Sequence, residues 1–435
     1  MFFRSISARA ISVGVQAALV GAGTVSAGVG GASGPAVRPP ALHVSSAGSG
    51  SVVSHPVPAR SGLIGSTPRA SWIPDAQVNA LATDGTYVYL GGTFTALVNP
   101  VTGMSQTHTR LARINIATGV ADGTWSPAVN GTIRALAYNA ADSTLFVGGL
   151  FTDVNGAART NLAGIATIGS GSTAGAVRSM APNPDDEVRA LMIDQGELVV
   201  AGSFLNIVGF GQRRLAKLDT STGARDTTFT PQVNAGVFAI THPPGSGVYA
   251  VGGAFTMLGN NPHSYLGLVN RTTGAVGSWA PSSLCPPTFI CPVISVASNG
   301  AQVFAAAGGP GGQAIGYDLA TGTRQWVQVA NGNTQAIVVF GQEVYVGGHF
   351  DPTFGNQHRQ TLAAVNARTG AIDPTFRPSA KMTFPGTEAL LPTPAGLIVG
   401  GAQLNIGGTA QSRLAIFPVT PASHTVRRTV AAMHG

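Results

Sequence analysis

The sequence predicts an all-β fold, a seven-bladed β-propeller of four-stranded blades, and three observations carry that prediction. A unit of roughly fifty residues repeats seven times. Each unit opens on a short apolar run with a small residue at its third position: Ala80, Ala135, Ala190, Ala239, Ser295, Ala336 and Ala389. The 59 glycines and 28 prolines fall in register with these runs, as in a protein of short strands and tight turns, and only 9% of residues are charged. Small residues suit innermost strands, because those strands crowd around a channel. Four antiparallel strands at this period and copy number make a propeller blade.

The first strands read VNAL (from Val78), IRAL (Ile133), VRAL (Val188), VFAI (Val237), VISV (Val293), TQAI (Thr334) and TEAL (Thr387). Second strands alternate apolar residues and mostly end in Gly-Gly-x-Phe or Ala-Gly-x-Phe, as in GGTF, GGLF, AGSF, GGAF and GGHF. Paired glycines fit either a close approach of backbones or a positive φ. Third strands follow as RLARIN, NLAGIA, RLAKLD, YLGLVN, AIGYD, TLAAVN and RLAIF, several closed by a Thr-Gly turn. The fourth element supplies an aromatic ahead of a proline or in its place: Trp125, Phe229, Trp279, Trp326 and Phe376, with Met180 substituting once. Unit seven stops without one. The surplus copy is SWIP (Ser71–Pro74) at the front, with Trp72 in the aromatic's place. Seven starts and seven ends balance if this N-terminal strand completes the last blade, which also pairs the free sheet edges. A solenoid of the same units is the alternative, but its ends would need caps.

The stretches DGTWSP (Asp122–Pro127), DTTFTP (Asp226–Pro231) and DPTFRP (Asp373–Pro378) each lie downstream of an LAxxN/D strand. Together they resemble the delta-60-type repeat of bacterial secreted β-propeller proteins, over about Ser71 to Phe417. The resemblance implies the fold and export and is nearly silent on ligand. Unit five departs most, since AAAGGPGGQAIGYD lacks the Phe and the long loop. Kelch propellers share the Gly-Gly but not the downstream aromatic pattern. GYDLATGTRQW (Gly316–Trp326) resembles the repeat of quinoprotein dehydrogenases. That family uses eight blades, adjacent cysteines and acids around a calcium-bound quinone, which this sequence lacks.

The flanks read differently. MFFRSISAR supplies a positive n-region (Arg4, Arg9), an apolar stretch follows, and Val25-Ser26-Ala27 offers a signal-peptidase site. The expected organisation is a cleaved secretory signal at 1–27, a disordered low-complexity linker at 28–70, the propeller at 71–420 and a disordered tail at 421–435. An uncleaved anchor is the alternative for the leader, and no later run is long enough to span a membrane. The protein is therefore expected outside the cell or on its surface. Cys285 and Cys291, alone in the chain, are expected to bridge a small loop in an oxidising compartment.

The formal charge of +7 comes from Lys and Arg scattered singly, apart from Arg213-Arg214 and Arg427-Arg428. That scatter argues against nucleic acid. In a propeller the loops between second and third strands share one face with the blade-to-blade loops. On this face the sequence places His108, Arg110, Arg159, Arg213, His263, His358, Arg359 and Arg413 as candidate binding residues, with Asp153 and Arg214 among them. The recurring arginines read either as a ring of cations for a carboxylate-bearing glycan or as structural caps on loop carbonyls. Regular recurrence favours the caps. Asp185, Asp186 and Glu187 in PDDEV are the acids on this face, candidates for polysaccharide hydrolysis or a hard cation, though adjacent acids in a turn are usually solvated. A metal triad of His108, His263 and His358 would need three separate loops to converge. No nucleophile elbow, phosphate loop or dinucleotide fingerprint appears. The expectation is a monomeric, exported binding module without metal or cofactor. Its partner would be an envelope glycan or an exported protein, met by the long-loop face and above all by the loop Thr95–Arg110. The alternatives are an extracellular polysaccharide hydrolase or lyase, or a quinoprotein-like oxidoreductase.

Overall fold

The computed structural model describes residues 64–419 apart from 169–174, 264, 283, 286, 287 and 310. All of these belong to the unit 52–435. The expected leader, the linker up to residue 63 and the tail lie outside the described residues.

The described chain is all-β, with no α-helix and one 3-10 turn at Ile406–Gly408. Each repeat builds an antiparallel sheet. In chain order the inner, middle and third strands are Val78–Thr83, Tyr87–Gly92 and Leu111–Asn115; Thr132–Asn139, Thr144–Leu150 and Leu162–Ala166; Val188–Asp194, Glu197–Gly202 and Leu215–Asp219; and Val237–Thr241, Val248–Gly253 and Leu266–Asn270. They continue as Val293–Ser298, Gln302–Ala307 and Gln313–Asp318; Thr334–Phe340, Glu343–Gly348 and Leu362–Asn366; and Thr387–Thr393, Gly396–Gly401 and Leu414–Pro418.

Two expectations need correction. Among the described residues only unit five has a full fourth strand, Arg324–Val329. In units one to four and six the fourth element meets the third at a single residue pair: Ala121 with Ile114, Val177 with Ile165, Arg225 with Leu218, Val276 with Val269 and Ile372 with Val365. The local sequence explains the difference. In DGT, DTT and DPT the Asp side chain captures the backbone N–H two residues on, as Asp122 Oδ1 does for Thr124 at 2.9 Å, and a proline follows. Both features remove ladder hydrogen bonds, whereas TRQWVQV carries neither. The second correction concerns the linker. Among the described residues, isolated pairs already form ahead of Ser71: Ile64 with Val419 and Arg69 with Ile416. The composition of residues 64–70 hides this, because single residues, Ile64, Gly65, Ser66 and Arg69, carry the contacts.

The aromatics of the fourth elements pack between neighbouring sheets. Trp125 Nε1 donates to Ala166 O at 3.1 Å and Trp326 Nε1 to Ala367 O at 2.8 Å, each fully or nearly buried. Their faces meet other rings edge-on, as in Tyr89–Trp125 at 5.3 Å and Tyr345–Phe376 at 5.1 Å between centroids. Losing one such ring from a packed core costs about 3–5 kcal/mol.

The paired glycines answer to close packing. A Cβ on Gly91 would lie 2.4 Å from Ile133 of the next inner strand, and one on Gly92 would lie 2.0 Å from the carbonyl oxygen of Gln77. The same clashes recur at Gly148 and Gly149 and at Gly347 and Gly348. In six units this second approach accompanies a β-bulge, and in unit five Ala307 holds the glycine's place. In all seven inner strands the register shifts across the residue before the recurring Ala or Ser, leaving it unopposed. A bulge re-aims the side chain it carries.

Candidate functional site

The seven bulged residues are Asn79, Arg134, Arg189, Phe238, Ile294, Gln335 and Glu388, and they line one cavity of about 250 Å³. The bulges sit where inner strands begin, at the end of the sheets that also carries the loops after the middle strands.

Charge is unevenly distributed among these residues. Glu187, which precedes the inner strand of unit three, accepts from Arg134 Nε at 3.0 Å and from Arg189 Nε at 2.7 Å. Its carboxylate is 14% exposed, whereas the two arginines are 37% and 36% exposed. The Arg189 guanidinium also stands 4.5 Å from the centroid of Phe238. Hydrogen bonds run in one direction on the other side. Asn333 N donates to His349 Nε2 at 3.4 Å, so Nδ1 carries the proton and donates to Gln335 Oε1 at 3.2 Å. The Gln335 amide then donates to Glu388 Oε1. Burial raises the Glu388 carboxyl above the usual range, against the opposing charges of Arg134 and Arg189 and the bond from Gln335. Burial lowers His349, which packs against Phe384 at 5.3 Å. Asn79 donates to Ile133 O at 2.8 Å and ties unit one to unit two.

The loop residues expected to bind are placed otherwise. Arg159 donates to Arg178 O, Arg359 to Asp373 O and to His358 O, and Arg413 to Pro74 O. These arginines, and Arg214 on Val233 O, cap main-chain carbonyls. Arg110, Arg214 and Arg413 also occupy the left-handed region immediately before their third strands, at φ 68, 65 and 64. Two bonds hold that strain, as at Arg110, whose N–H meets Phe94 O and whose carbonyl accepts from Gly92. His108 and His263 are buried in their own loops, which lowers the pKa of both imidazoles, while His358 and Arg213 are exposed. Among the described residues no three His, Cys, Asp or Glu side chains come together as metal ligands. Asp185 caps the backbone of Leu205 and Asn206, and these bonds hold its carboxyl low despite some burial. Asp186 accepts from Glu187 N. Cys285 and Cys291 form a disulfide.

Of the expected site residues, only Glu187 thus joins the bulged residues at the cavity. Arg134, Arg189, Gln335 and Glu388 escape a search for recurring polar residues because their position is the variable one. Between a fixed Val, Ile or Thr and a fixed Ala or Ser, it reads Asn, Arg, Arg, Phe, Ile, Gln, Glu.

A match to a family model supports the scaffold. Residues 196–229 match a family model described as "Domain of unknown function (DUF5122) beta-propeller". No curated protein matches the chain. Among solved structures, the chain is similar to the WD40 β-propeller domain of Doa1 at 11% identity and a TM-score of 0.47, covering 82% of this chain and 97% of that one. It is also similar to the computationally designed Ika8 protein at 12% identity and a TM-score of 0.48, covering 82% and 100%. The fold is an all-β scaffold of the β-propeller kind.

Proposed function

We propose that this chain is an exported, seven-bladed β-propeller of the delta-60 repeat type that binds an envelope glycan at the mouth of its central channel. Closure of the ring by the N-terminal segment has three supports. Trp72 is buried among Val88 and Ile114 of unit one and Ile398 and Ile416 of unit seven. The bond from Arg69 N to Ile416 O occupies the place of those from Asp122 N to Arg113 O, Asp226 N to Lys217 O and Asp373 N to Ala364 O. A Cβ on Gly400 would meet Val78 at 2.8 Å, as Gly91 meets Ile133. The leader and the Cys285–Cys291 bridge favour export.

One observation carries the binding reading. The side chain re-aimed by each bulge changes from unit to unit, while the residues around it are held to the needs of packing. Seven side chains of six kinds converging on one cavity can recognise a ligand, whereas loop arginines committed to carbonyls cannot. The Ile294→Trp substitution tests this by filling the cavity from its apolar side. Retention of a glycan on an array by the wild-type protein and its loss in this variant, at unchanged melting temperature, is the expected result. Equal retention by both proteins rules out the mouth.

A hydrolase is the second reading, because two carboxylates of unlike environment lie near the cavity: Glu187 between two arginines and Glu388 raised by burial. Release of reducing ends from a bound polysaccharide, abolished in Glu388→Gln, distinguishes it from binding alone.

A further inference from the structure

Arg134 and Arg189 are each fastened by one nitrogen only. Both Nε atoms are bound to the same Glu187 carboxylate, at 3.0 and 2.7 Å. Among the described residues no hydrogen bond engages the Nη groups of either guanidinium. Phe238 supports Arg189 from one face at 4.5 Å. Two planar forks are therefore oriented in advance, with their terminal donors free and more than a third of each side chain open to solvent. Other arginines of this protein look different. Arg271 closes a bidentate pair with Asp194, and Arg359 ends on two carbonyls.

The local charge balance favours an anion. Two guanidiniums face the side chain of Glu187, and another acid at the cavity, Glu388, is hydrogen-bonded by a neutral amide. Gln335, His349 and Asn79 bring no negative charge. The polar side of the cavity thus carries net positive charge whenever Glu388 holds its proton.

Resting on the proposed glycan reading, the geometry points to a carboxylate on the ligand, taken by the Nη groups of Arg134 and Arg189, so that the sugar recognised is an acidic one. A carboxylate is planar and matches a guanidinium fork through two parallel bonds. The cavity, at about 250 Å³, has room for a sugar residue.

Calorimetric titration of the purified protein with an oligogalacturonide, its methyl ester and an oligo-glutamate peptide tests this. The expected result is binding of the oligogalacturonide, with the ester weaker by about tenfold or more, the usual worth of a charge-assisted bond. Arg134→Gln and Arg189→Gln should each weaken the acid by a similar factor and leave the ester unaffected. Arg134→Lys should recover only part of the affinity, since it keeps the charge and loses the fork. Arg213→Gln serves as the control for net charge, and a melting curve for each variant reports its folding. If acid and ester bind alike and only Ile294→Trp abolishes both, the fork assignment falls while the mouth remains the binding site. Binding of the oligo-glutamate in preference to the oligogalacturonide overturns the sugar as occupant. No binding by the wild-type protein of any glycan, acidic or neutral, overturns the binding reading itself.

Discussion

Two groups of arginines differ in what their donors do. Arg159 and Arg359, three residues ahead of their third strands, and Arg214 and Arg413, immediately ahead of theirs, sit in loops and spend their terminal donors on main-chain carbonyls. Arg134 and Arg189 sit on β-bulges, are held by Nε alone and keep their terminal donors free. The same side chain is scaffold in one setting and a candidate binding group in the other. Recurrence accompanies the scaffold role: Arg159 and Arg359 meet carbonyls of the fourth element, and Arg214 and Arg413 meet carbonyls ahead of the next inner strand. Variation accompanies the cavity, because nothing in the packing of a bulged side chain requires a particular residue there.

The largest expected effect tests the scaffold side at its seam. Trp72→Ala should cost about 3–5 kcal/mol, the range for a buried aromatic, and deletion of Ser71–Pro74 should cost more. A melting temperature unchanged by either would break the proposed closure.

Next comes the direct contrast between the two groups. Arg359 is 3% exposed, so Arg359→Ala removes a buried side chain together with its bonds to two carbonyls and should destabilise the fold by about 1–3 kcal/mol. Below its melting temperature that variant should still bind glycan. Arg189→Ala should show the reverse, with a small stability change and lost binding. Denaturant titration beside a binding assay reads both, and parallel losses in the two variants would erase the distinction.

Proton linkage gives a smaller effect. Unit six places Ala364 where units one and three carry Arg113 and Lys217, which pair with Asp122 and with Glu197 and Asp226. Without that cation, burial and the charge of Asp373 push Glu343 up to about 7. A carboxyl raised in the folded state binds its proton more tightly there than in the unfolded chain. Stability should then be highest near pH 4–5 and fall as pH rises toward 7. Glu343→Gln or Ala364→Lys should flatten that slope in melting curves taken across the range. Burial raises Glu388 in the same direction, so affinity for an acidic sugar should weaken as pH rises and Glu388 ionises. Glu388→Gln should remove that dependence. The smallest effect is expected of Arg213→Ala, an exposed loop change within about 0.5 kcal/mol of the wild type in stability.

Much of the architecture was legible in the chain itself. The seven Ala or Ser positions, the Gly-Gly pairs and the recurring aromatics state short-range packing needs, and such needs leave periodic marks. SWIP also declared itself, as an aromatic out of its turn. Residues 64–70 did not, because Ile64 and Arg69 act through partners more than 340 positions away in sequence, Val419 and Ile416. The loss of the fourth strand in most units was half visible, in the proline and the Asp-x-Thr turn.

The candidate site was the less legible part. A polar residue at the second position of VNAL or IRAL looks like ordinary alternation on a strand facing solvent. Only the tertiary structure decided that each of these strands bulges there, because the bulge lies in the register between inner and middle strands, and unit five bulges with Ala307 where the other units carry a glycine. Residues from seven distant segments then face one cavity, a proximity that no local pattern encodes. The sequence by itself determined the repeat, and with it the strands, turns and packing aromatics. Which arginines are committed to the scaffold, and which keep their donors free, followed only once the sheets came together.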